Sequence, residues 1–114
     1  MAIQLPDHDA LSLLDADVIQ HDEPWISTVR HSNGSGSMVQ ITWDGVAGSV
    51  SIRLLEGEEE ILSVEREGLD LLSIDQTGSE LYLACEFGLG EHSGRLSLSH
   101  GGCFKFRDTV LQTS

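Results

Sequence analysis

The chain has 114 residues, nineteen acids against six bases, a formal charge of −13 at neutral pH and a hydrophobic fraction of 39%. Area scaling buries about two thirds of the unfolded surface at this size, which predicts a single domain over residues 1–114 and argues against wholesale disorder. The apolar runs are too short for a membrane helix, and the charge disfavours direct nucleic-acid binding and contact with an anionic membrane.

Residues 1–24 form an acidic lead-in, with Asp7, Asp9, Asp15, Asp17, Asp22 and Glu23 and no base before Arg30. The opening MAIQLPDHDALSLLDADV has no positively charged n-region and carries acids through its apolar stretch, so it does not read as a secretory signal and a cytoplasmic protein is expected. Asp7 or Asp9 is a candidate cap for a short helix carrying Leu11, Leu13 and Leu14. An alternative reading has an irregular lead-in and a strand at Asp17–His21. Pro24 then excludes a helix through Glu23.

Residues 25–111 read as an antiparallel β-meander, because apolar residues alternate with polar ones between clusters of Gly, Ser, Asn and Asp. The fold class is therefore mainly β, a sandwich or partly open barrel with a short N-terminal helix. WISTVRH (25–31) comes first, followed by MVQITW (38–43) with Val39, Ile41 and Trp43 on one face. SVSIRLL (49–55) turns Val50, Ile52 and Leu54 inward, EGEEE (56–60) ends it, and ILSVER (61–66) buries Leu62 and Val64. LDLLSID (69–75) is too continuously apolar for its register to be read. ELYLACEF (80–87) is the clearest strand, with Leu81, Leu83, Cys85 and Phe87 inward and Glu80, Tyr82, Ala84 and Glu86 outward. GLGEHSG (88–94) reads as a mobile loop, RLSLS (95–99) as a strand, and CFKFRDTVL (103–111) as a last strand with Phe104 and Phe106 inward. Gly-Ser recurs before strands at 36–37, 48–49 and 78–79, which reads as one turn chemistry reused.

Few residues point to catalysis. The five histidines, His8, His21, His31, His92 and His100, fall mostly in loops or at strand ends and match no metal-ligand spacing, so they read as solvated. DADVIQHDE (15–23) lacks the glycine turn and terminal bidentate acid of a calcium loop. GLGEHSG sits between strands and lacks the third glycine of a dinucleotide loop, and no G-x-S-x-G elbow occurs. Cys85 and Cys103 differ in parity relative to their apolar neighbours, which argues against a disulfide. No cofactor is expected. The acids form two dense groups, the lead-in and Glu56–Asp70 with Arg66 its sole base, and they suit a cationic protein partner. Tyr82, flanked by outward acids, suits the same kind of surface.

The acidic lead-in followed by short meandering strands resembles small bacterial immunity proteins, which bind and silence a cognate toxin. The similarity is greatest in DADVIQHDEPWISTVRH, MVQITW and SVSIRLL. The resemblance implies a cytoplasmic, non-enzymatic inhibitor that caps the active site of a basic toxin, often a nuclease, with carboxylates where the toxin would hold phosphates. On that reading the interface is expected at Glu56, Glu58, Glu59, Glu60 and Glu65, with Tyr82 and Glu86 as the neighbouring strand face. Two other classes stand beside it: a homo-oligomer assembled through strand edges with a structural role, and a metal-dependent enzyme. A phage-type inhibitor that mimics DNA is a close relative of the first reading.

Overall fold

A computed structural model describes residues 3–89 and 92–112. It is a β-sandwich of two open antiparallel sheets, and within each sheet the strands pair in sequence order. The first sheet runs β1 (Asp17–Gln20), β2 (Ile26–Ser32), β3 (Ser37–Asp44), β4 (Ser49–Glu56) and β5 (Glu59–Glu67). The second runs β6 (Leu69–Thr77), β7 (Glu80–Leu89), β8 (His92–His100) and β9 (Lys105–Gln112).

Both features read in the lead-in are present. Asp7 caps the helix α1 (His8–Ser12), its carboxylate accepting the Ala10 N–H at 2.7 Å, and β1 follows as a short edge strand. Of the three leucines expected on the helix only Leu11 lies within it and is buried, while Leu13 follows its end and projects into solvent. The lead-in is built into both sheets. Beside β1 in the first, Gln4 bridges Leu71 in parallel and exchanges hydrogen bonds with Asp70 and Leu72 across the free edge of β6. That pairing covers backbone groups which would otherwise offer a template to another chain.

Alternation sends one side of each strand into the core between the sheets. Val29, Ile41 and Ile52 stand opposite one another across β2, β3 and β4, and Val64 continues the row on β5. The facing sheet contributes Leu72, Cys85 and Leu96 in one row and Ile74, Leu83 and Leu98 in the next. Phe104 and Phe106 are half-buried against this core and stacked on each other. Each fully buried side chain of this size contributes about 1.5–3 kcal/mol.

The illegible register of 69–75 has a structural cause: β6 is bulged between Leu69 and Leu71, so alternation breaks inside the segment. The loop expected at 88–94 is shorter than its composition suggests. Leu89 still belongs to β7 and His92 already to β8, while Gly90 and Glu91 lie outside the described residues.

From β5 to β6 the chain passes between the sheets through the single residue Gly68, whose φ of +78° is a conformation that only glycine adopts without strain. Main-chain hydrogen bonds close this end, from Leu69 N to Gly48 O at 2.9 Å and from Gly88 N to Gly68 O at 3.0 Å. Arg66 and Asp108 form an ion pair between β5 and β9. The opposite end is closed by side chains: His31 of β2 meets His100 of β8, and the Asn33 amide donates to Gly101 O at 3.1 Å.

Candidate functional site

The β4–β5 hairpin holds the densest group of carboxylates. Glu56 and Glu59 pair across a two-residue loop, Gly57-Glu58, that opens on a glycine with φ +64°, as a tight hairpin turn between right-twisted strands requires. Gly57 N donates to Gly36 O at 2.8 Å, which anchors the tip on the β2–β3 loop. Glu56, Glu58, Glu59 and Glu60 are all exposed on this anchored tip. Glu60 accepts from Arg53 Nε at 2.7 Å. Next to the tip, a register shift in the β4–β5 pairing leaves Ile61 half-exposed.

Glu65 lies farther along the same edge strand, on the outward face of the first sheet. With Glu67 and Asp44 it walls an open groove of about 510 Å³ whose floor includes Thr42, Ser49 and Ser51. The floor is low because these side chains are short, and Arg66 also lines the groove. Asp44 is engaged locally, accepting the Val46 and Ala47 N–H groups at 2.9 and 2.8 Å.

Tyr82 and Glu86 lie elsewhere. Both face outward on β7, as their parity predicts, but β7 is in the second sheet, so they point away from the opposite side of the sandwich. The expectation that they form a strand face neighbouring Glu56–Glu65 is therefore corrected. Parity assigns a side chain to one face of its own strand, and the crossing at Gly68 reverses which side of the molecule that face is on. Their surroundings also differ in charge. Glu86 is 3.3 Å from Arg95, and a groove of about 430 Å³ beside Tyr82 is lined by Asp75, Ala84, Ser97, Lys105 and Arg107. Three of the six bases thus lie on this side.

The histidines correct the sequence reading more sharply. His31 and His100, expected as solvated, are 2% and 1% exposed, with their Nδ1 atoms 2.8 Å apart. His100 Nε2 is 2.9 Å from Ser37 Oγ. Burial lowers the pKa of both rings, and the positive charge that His31 would carry lowers that of His100 further, while Glu80 raises both and Asp15 raises His31. Parity was the usable signal: His31 shares the face of Val29, and His100 that of Leu98 and Leu96. His21, also in the lead-in, bonds Thr28 Oγ1 at 2.8 Å, which in turn bonds Thr42 Oγ1 at 2.8 Å, so Thr28 is buried although it faces outward.

Cys85 is a buried free thiol whose pKa burial pushes up to about 12, and Cys103 is free and exposed. Among the described residues, no three His, Cys, Asp or Glu side chains converge on a metal position. Among the described residues, no helix is long and apolar enough to cross a membrane.

No family model and no curated protein matches the chain. Among solved structures it is similar to a chain of a contact-dependent growth inhibition toxin–immunity protein complex from Klebsiella pneumoniae 342. The TM-score is 0.78 at 18% identity, over 97% of this chain and 100% of that one. At that identity the similarity is one of fold.

Proposed function

We propose that this protein is an immunity-type inhibitor that neutralises a basic cognate toxin, such as a nuclease, by occluding its active site with the carboxylates of the β4–β5 hairpin. The observation that carries this reading is the anchored tip, where Glu56, Glu58, Glu59 and Glu60 are exposed within five residues and only Glu60 has an arginine partner among the described residues. Fixed, closely spaced carboxylates can occupy cation sites shaped for phosphates, and their field speeds encounter with a basic surface. Glu65 extends the acidic edge along β5. The fold shared with a chain of a toxin–immunity complex supports a protein partner rather than a small substrate, and an inhibitor of this kind acts in the cytoplasm without catalysis or cofactor. Tyr82 and Glu86 then form a second, separate contact surface, used only by a partner large enough to reach around the sandwich.

A tagged pull-down from source-cell lysate at low and high salt identifies the partner; a single basic protein in near-stoichiometric amount is expected. Association kinetics with that protein then test the tip. Reversing Glu58, Glu59 and Glu60 to lysine should slow association by about tenfold or more at low salt and flatten its salt dependence. An unchanged on-rate removes the tip from the interface. Recovery of this protein alone, as a defined oligomer, overturns the inhibitor reading in favour of structural assembly.

A further inference from the structure

The contact between His31 and His100 fixes the hydrogen positions of a bond chain that runs between the sheets. Two Nδ1 atoms 2.8 Å apart must share one hydrogen, because two N–H groups or two bare nitrogens would repel. On its other side His31 faces the backbone of Ser79, which favours a protonated ring. A hydrogen on His31 Nε2 suits that side, and with it there His31 accepts at Nδ1. His100 must then donate from Nδ1, leaving its Nε2 to accept from the Ser37 hydroxyl at 2.9 Å. The direction is Ser37 to His100 to His31 to Ser79, from β3 to β8, back to β2, and on to the β6–β7 turn.

We propose that this pair is a proton-counting clasp between the two sheets, which holds with no added proton or with one and opens when a second arrives. The first proton goes to His100 Nε2. There the Ser37 hydroxyl reverses from donor to acceptor, and no hydrogen bond is lost. The second proton has only His31 Nδ1 available, and that lone pair already receives the His100 N–H. Loading it sets two N–H groups and two positive charges against each other in a site almost closed to water. The charged groups facing the pair are Asp15, from the segment between α1 and β1, and Glu80, at the start of β7. Both favour the first proton. Glu80 is held in place by accepting Gly102 N at 2.5 Å, and Phe104 presents an apolar ring to His100 at a centroid distance of 6.5 Å. Two carboxylates beside an apolar wall suit one imidazolium better than two. Opening would also release the Asn33–Gly101 bond beside a cavity of about 210 Å³ lined by Asp15, His31 and Asn33.

Nitrogen-15 NMR of the full chain between pH 8 and pH 4 tests the clasp without any substitution. At pH 8 the rings should show opposite tautomers, His31 with its hydrogen on Nε2 and His100 on Nδ1. Scalar coupling between the two Nδ1 atoms should survive the first protonation and vanish at the second. At that second step, exchange protection of amides 31–33 and 99–102 should fall about tenfold further than that of amides 48–50 and 68–70. Ser37→Ala, which removes the acceptor for the first added hydrogen, should move the first step to lower pH and leave the tautomers unchanged. Identical tautomers, independent titration of the rings, equal loss of protection at both ends, or an unmoved first step in Ser37→Ala would each overturn the proposal.

Discussion

The two ends of the sandwich are closed by different chemistry. At the Gly68 end the sheets are joined by main-chain hydrogen bonds from Leu69 to Gly48 and from Gly88 to Gly68, together with the Arg66–Asp108 pair. At the other end the joint is made of side chains, with His31, His100, Ser37 and Asn33 bridging β2, β3, β8 and the following loop. Backbone amides do not titrate in the physiological range, whereas imidazoles do. A fold with a continuous core can therefore respond to pH at one end and hold at the other.

Substitutions that remove this contrast should have effects of graded size. The largest is expected for His100→Ala, which leaves the His31 acceptor and the Ser37 hydroxyl unpaired and opens a void at a fully buried site. A loss of about 2–4 kcal/mol in urea unfolding is predicted. Gly68→Ala forces a β-carbon into the left-handed region and should cost about 1–2 kcal/mol, equally at pH 5 and pH 7.5, since nothing it strains is a histidine. Acidification of the unaltered protein follows. Both clasp rings have pKa values held below the ordinary 6.5, so in that window the unfolded chain binds more protons. Their contribution to stability is complete above about pH 6.5 and is lost as pH falls toward the folded-state values, which should appear as a falling urea midpoint that Gly68→Ala retains and His100→Ala flattens.

Much of the β architecture was legible because burial has the period of a strand. Val39, Ile41 and Trp43, then Val50, Ile52 and Leu54, then Leu81, Leu83, Cys85 and Phe87 all lie on the face that alternation assigns. It failed at β6, where the bulge at Leu69/Leu71 breaks the period, and at the histidines, where loop-like composition around His100 concealed a residue in register with Leu96 and Leu98. The candidate interface divides in the same way. Glu56–Glu60 could be read as exposed from local chemistry alone, since charged side chains crowd a glycine turn. Their relation to Tyr82 and Glu86 could not, because it depends on the crossing at Gly68.

The amino-acid sequence by itself determined what is local: most of the strand faces, the acidic hairpin tip and the excess of negative charge. Each follows from interactions between residues close in the chain or from composition alone. Only the tertiary structure decided how these parts meet, with Tyr82 and Glu86 on the far side from the hairpin and two histidines sixty-nine residues apart brought to 2.8 Å. The physical reason is that sheet stacking is set by the shared burial of both inner faces, a property of the whole core that no single segment carries.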